Sequence, residues 1–77
     1  GHAEAQVCLG ACYKTGKGVP QDDVTAYMWF NLASAQGLED AKKGKEIASE
    51  SMTKEQIAEG QKLSREWLER FDKREKK

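Results

Sequence analysis

Between residues 14 and 20 the chain reads Lys14-Thr15-Gly16-Lys17-Gly18-Val19-Pro20, a stretch that no helix can run through. Its glycines take positive φ without steric cost, and Pro20 disfavours helical geometry at Val19. Helical patterns lie on both sides. From Ala3 to Tyr13 the apolar positions Ala5, Leu9, Cys12 and Tyr13 fall on one side, with Val7, Cys8 and Ala11 widening the surface. Beyond the break Asp22 is a helix N-cap, whose carboxylate can accept from orphan amides and face the positive helix end. A second helix is predicted from about Asp23 to Gln36, with Ala26, Tyr27, Trp29, Phe30 and Ala33 on its apolar side and Met28 and Leu32 at the margins. Gly37 follows as the left-handed residue past its end. A connection this short folds the second helix back on the first, so residues 1–37 are expected to form an αα-hairpin.

The remainder is also helical but less apolar. Glu39 to about Ser49 carries only Leu38, Ala41, Ile47 and Ala48 as apolar positions, and Gly44 interrupts it at about 1 kcal/mol relative to alanine. This third helix is expected to be the more exposed. The fourth has the clearest start. Thr53 is its N-cap, Gln56 closes a capping box at N3, and Met52 at N′ can pack on Ile57 at N4 as a hydrophobic staple. Ile57, Gly60, Ser64, Trp67, Leu68 and Phe71 then recur at helical spacing, while Glu66 and Arg70 stand in the favourable i,i+4 orientation on the polar side. Residues 38–71 are expected to form a degenerate hairpin and capping helix, and the charged run 72–77 a solvated tail. The fold class expected is all-α, an alpha-alpha superhelix of antiparallel helical hairpins with about four helices.

Several function classes fall away. With 13 basic and 13 acidic residues the chain has no net charge to draw it to nucleic acid or an anionic membrane. Its apolar runs are a few residues long, against the roughly 20 needed to span a bilayer, and no targeting segment is visible, which leaves the compartment of the parent protein open. Lys42, Lys43 and Lys45 are interleaved with Glu39, Asp40, Glu46 and Glu50, which cancel most of their field. A protein or peptide partner is the class that remains, with no nucleic acid and no membrane.

No catalytic set can be assembled either. His2 is the only histidine, and neither Cys8 nor Cys12 has an activating base in the expected geometry, so the chain is expected not to be an enzyme and to need no cofactor or metal. Asp22-Asp23 resembles a glycosidase carboxylate pair, but helix capping already accounts for it. Gly16-Lys17-Gly18 lacks both the spacing and the preceding strand of a phosphate loop. Cys8 and Cys12, four apart on one helix, fit two small buried hydrophobes. A disulfide between them is disfavoured because both Cβ vectors tilt the same way.

Internal repetition gives the organisation more meaning. Gly1-His2-Ala3-Glu4-Ala5 aligns with Gly37-Leu38-Glu39-Asp40-Ala41 at a period of 36 residues. The residues Ala3-Glu4-Ala5-Gln6, Leu9-Gly10, Tyr13, Gly16, Gly18-Val19-Pro20-Gln21-Asp22, Ala26, Trp29-Phe30, Ala33 and Gly37 closely resemble a Sel1-like repeat, a helix-turn-helix unit related to tetratricopeptide repeats. The resemblance covers the first half of the chain and begins again near Gly37. After Ala41 the second copy departs, since Lys45-Glu46 stand where Leu9-Gly10 would recur and no second Gly-Val-Pro-Gln-Asp loop follows. A terminal repeat is expected to be atypical because one face lacks a neighbour.

The expected structural core is Leu9, Gly10, Tyr13, Ala26, Trp29, Phe30, Ala33, Gly37, Ile57, Trp67 and Leu68. Gly10, in mid-helix, implies close approach by the facing helix near Ala33 or Ala26. The resemblance implies that the first helix of each hairpin lines a concave side and that the chain is a non-catalytic interaction scaffold, the C-terminal part of a longer repeat protein. Carried onto this chain, the contacts would be His2, Glu4, Gln6 and Lys14, continued by Lys42 and Glu46 one period later. Two alternatives stand beside this. The segment can act purely as a structural C-terminal cap while upstream repeats bind the ligand, or it can self-associate through exposed repeat ends at Val7, Ala11 and Tyr27.

Overall fold

A computed structural model describes residues 2–75, with side chains from 3 to 70. They form α1 (His2–Thr15), α2 (Asp23–Ala35), α3 (Glu39–Glu50) and α4 (Lys54–Glu75). The tail expected at residues 72–77, and the side chain of Phe71, lie outside the residues whose side chains are described.

The boundaries follow from local chemistry. Asp22 has extended backbone, and its Oδ1 accepts from the amides of Val24 at 3.1 Å and Thr25 at 3.3 Å. Its Oδ2 accepts from the Thr25 hydroxyl at 2.8 Å, so both carboxylate oxygens are used. The loop before it closes onto the end of α1. Gly16 and Gly18 each have φ of 76°, and the Gly16 amide donates to the Cys12 carbonyl at 2.7 Å. The Asp22 amide donates to the Tyr13 carbonyl at 2.9 Å, and Gln21 Nε2 donates to the Lys14 carbonyl at 2.8 Å. These bonds satisfy carbonyls that the helix end leaves without intrahelical partners. Gly37, with φ of 89°, donates to the Ser34 carbonyl and turns the chain into α3. The capping box at α4 forms reciprocally, with the Thr53 amide donating to Gln56 Oε1 at 2.9 Å and the Gln56 amide to Thr53 Oγ1 at 3.2 Å. Met52 and Ile57 each pack against the core cluster. Asp22→Ala is expected to lower stability by about 0.5–2 kcal/mol. In a thermal melt each kcal/mol moves the midpoint by roughly 4–8 °C at this size, and an unchanged midpoint would contradict the capping role.

Packing is centred on α2. Helices α1, α3 and α4 all pack against it, α1 also touches α3, and the main partner of α4 is α2 and not α3. The core joins Ala26, Tyr27 and Phe30 of α2 to Ala48 of α3, with Val7, Tyr13, Met52 and Ile57 packed around them. Leu32, Ala33 and Ala41 are buried as well.

Each of the three helices around α2 meets one of its aromatic rings with a glycine. A Cβ placed on Gly10 of α1 would lie 2.9 Å from the Phe30 ring, and one on Gly44 of α3 would lie 2.6 Å from the same ring. On α4, a Cβ at Gly60 would lie 2.7 Å from the ring of Tyr27. The close approach at Gly10 is therefore made by Phe30, not by Ala33 or Ala26. Gly44, which weakens α3 by propensity, meets the same Cδ1, Cε1 and Cζ atoms of that ring as Gly10 does. Both rings are 5% exposed.

Further along the α2–α4 contact, Trp29 and Trp67 meet edge to face, their centroids 6.0 Å apart and their planes at 70°, a geometry favoured by the ring quadrupole. Ser64, 2% exposed, donates to the Gly60 carbonyl at 2.9 Å. Three residues expected in the core depart from it, since Leu9 and Leu68 are each 40% exposed and Gly37 is exposed as well. For Leu9 the reason is the rotation of α1. Its buried side carries Gln6, Val7, Gly10 and Tyr13, so Ala5, Cys8 and Leu9 face outward. Cys8 is exposed and Cys12 half-buried, contrary to the expectation that both are buried; both thiols are free.

Candidate interaction surface

The contact residues expected from the sequence do not share one environment. Gln6 is 6% exposed, and its Oε1 accepts from Gln36 Nε2 at 2.7 Å, so it ties the start of α1 to the end of α2. Lys14 is also drawn inward. Its Nζ lies 3.5 Å from Asp23 Oδ1 and donates to Ser51 Oγ at 2.9 Å, with the Lys14 and Asp23 side chains 26% and 28% exposed. It spans three elements, linking the end of α1 to the start of α2 and the end of α3. The pair itself is exposed enough that its Coulombic share is small; its structural effect is to hold α1 beside α3.

Glu4, Lys42 and Glu46 are on the surface. Lys42 Nζ is 3.9 Å from Glu39 Oε1, a loose i,i+3 pair. The Glu46 backbone carbonyl accepts from the Ser49 hydroxyl at 2.8 Å. The side chain of His2 lies outside the described residues. Lys42 is one period after Gln6 and Glu46 one period after Gly10. On α1 these positions are covered by α2, whereas on α3 the same positions face solvent, because α4 packs on α2 instead.

One surface residue was missed from the sequence. Ile47 is 57% exposed on α3, among the exposed Lys43, Glu46 and Glu50. Period arithmetic carries the signal, since Ile47 falls off the stripe formed by Ala41, Gly44 and Ala48 that seats α3 on α2. With α1 and α3 adjacent, their exposed residues combine acidic and basic groups with the aliphatic side chains of Leu9 and Ile47. That mixture suits a peptide chain better than a polyanion. Among the described residues no group of three or more His, Cys, Asp or Glu side chains is placed to hold a metal ion, and no helix is long and apolar enough to cross a membrane.

An αα-hairpin closed by a glycine-rich loop, with a third helix packed on its second, defines a helical-repeat fold. Residues 3–38 match the family model described as Sel1 repeat, so this part of the chain carries a single Sel1-like repeat motif. The match covers α1 from Ala3 onward, the loop, α2 and the turn at Gly37. No curated protein and no solved structure matches the chain significantly.

Proposed function

We propose that the chain is a non-catalytic interaction scaffold that binds a protein or peptide partner along the surface shared by α1 and α3. The observation that carries this reading is the adjacency of two first-position helices one period apart, with their second-position neighbour α2 buried behind them as the common support. Glu4 on α1, with Lys42, Glu46 and Ile47 on α3, are the contacts proposed. Gln6 and Lys14 are assigned to holding the scaffold together. Identifying the partner that co-purifies with the parent protein, before and after Glu4→Lys with Lys42→Glu, tests the surface. Loss of the partner with unchanged helical circular dichroism is expected; unchanged recovery would remove these residues as contacts. Ile47→Asp is expected to weaken recovery independently, because it places a charge where an apolar contact is proposed.

A structural cap is the second reading, and α4 favours it. One side of α4 carries Ile57, Gly60, Ser64 and Trp67 against α2, and the other exposes Glu55, Glu59, Lys62, Glu66 and Glu69. A helix apolar on one side and charged on the other is what closing a helical array requires. The two readings separate by truncation. Partner binding that survives on this segment alone supports the scaffold; binding that needs upstream repeats supports the cap.

A further inference from the structure

Cys8 and Cys12 stand one helical turn apart on the same side of α1. Both thiols are free, and Cys8 is exposed while Cys12 is half-buried, so burial in the core does not account for the pair. The turn that carries them is held in place by its surroundings. Between them Gly10 admits the Phe30 ring, to which a Cβ there would come within 2.9 Å, and Val7 and Tyr13 on either side pack against the core cluster. At the end of the turn the Cys12 carbonyl accepts from the amides of Gly16 at 2.7 Å and Lys17 at 3.1 Å. This fixed backbone decides how the two sulfurs can be joined. On a helix the Cβ atoms of residues i and i+4 lie about 5–6 Å apart and tilt the same way. A disulfide needs sulfurs about 2.05 Å apart on Cβ atoms about 3.8 Å apart, which this turn reaches only by unwinding. An ion held in line between two thiolates needs sulfurs about 4.6 Å apart, at bond lengths of about 2.3 Å each. Rotation about the two χ1 angles is enough for that.

We propose that Cys8 and Cys12 form a two-coordinate thiolate site for a soft monovalent cation, Cu(I). Each sulfur gives up its proton and donates a lone pair to the ion, so one Cu(I) displaces two protons and the product is a bis-thiolate with a single negative charge. The number of ligands selects the ion. Among the described residues no group of three or more His, Cys, Asp or Glu side chains is placed to hold a metal, whereas a structural zinc takes four ligands. Cu(I) prefers soft thiolates and is satisfied by two of them. The site uses none of Glu4, Lys42, Glu46 or Ile47, so it and the partner surface fail independently.

The test is a titration of the reduced 77-residue chain, in the absence of oxygen, with Cu(I) held by bicinchoninate, whose colour falls as the protein takes up the ion. Uptake of one Cu(I) per chain is expected, with two protons released, the mass of a single chain kept and the helical circular dichroism retained. Cys8→Ser and Cys12→Ser are each expected to weaken uptake by roughly a hundredfold or more, because the second thiolate then no longer binds from within the same chain. A third variant, Cys12→Ser with Thr15→Cys, keeps two thiols but sets them about 10 Å apart along the helix. It is expected to weaken uptake as much as the single changes do. Zn2+ in excess is expected not to displace the bound Cu(I). Uptake unchanged in either single serine variant, or as tight in the variant with the wider spacing, would overturn the chelate. One Cu(I) shared between two chains would overturn it too. Loss of helical signal on loading would show that the sulfurs reach the ion only by unwinding α1, and would overturn the geometry on which the site rests.

Discussion

Phe30→Ala is expected to remove a large share of the chain's stability. Removing a buried phenylalanine side chain costs about 3–5 kcal/mol, and a chain of 77 residues has only roughly 4–12 kcal/mol in all. This site lies at the damaging end of that range because the ring is met closely by two other helices. The ring fills the space between Gly10 and Gly44, and neither glycine has a side chain that can lean into the cavity. Three helices lose contact at once. Urea unfolding followed by circular dichroism measures it, and a midpoint within experimental error of the parent chain would show that α1 and α3 do not share this ring.

Gly44→Ala is the second large effect, and its sign is opposite to that of helix propensity. In an exposed helix the change would stabilise by about 1 kcal/mol. Here the new Cβ would stand 2.6 Å from the Phe30 ring. A ring free on its far side could swing away. This one is also confined by Gly10, where a Cβ would stand 2.9 Å from the same ring atoms. Overpacking of a filled core costs about 1–3 kcal/mol, so the steric cost offsets the propensity gain and leaves a net loss. A thermal midpoint lowered by several degrees is expected, and a raised midpoint would mean that α3 stands off from α2. Gly10→Leu should destabilise for the same reason.

The contrast between Gly44 and Asp22 shows what a sequence of this kind discloses. Asp22, Gly37 and the Thr53–Gln56 box act on backbone groups within a few residues, so their chemistry can be read along the chain, and the structure forms each of them. Gly44 looks like a weak point until the ring lodged against it is known, and that ring belongs to a residue fourteen positions earlier on another helix. The rotation of α1 was hidden for a different reason. Its sequence offers one stripe through Gln6, Val7, Gly10 and Tyr13 and another through Ala5, Cys8, Leu9 and Cys12, both at helical spacing. Periodicity cannot rank two such stripes. The better apolar one faces out, and the stripe containing Gln6 and Gly10 goes in because glycine admits the Phe30 ring and Gln36 satisfies the buried amide.

The same reasoning explains the uneven fate of the expected contacts. Gln6 and Lys14 are polar residues on a predicted helix surface, which is the usual mark of exposure. Their partners, Gln36 and Ser51, are 30 and 37 residues away, beyond any local pattern. Lys42 and Glu46 have no such partners reaching over from another helix and stay on the surface. Ile47 is the reverse case, one of the few apolar positions of α3, which stands among charges.

The central claim is that α2 is held by glycines on the helices around it, with Phe30 gripped between Gly10 and Gly44. Proton NMR tests it most directly. Nuclear Overhauser effects are predicted from the Phe30 ring protons to the Hα protons of both Gly10 and Gly44, with both Hα resonances displaced from their usual helical positions by the ring current. Contacts to only one glycine, or Hα shifts at ordinary values for both, would contradict it.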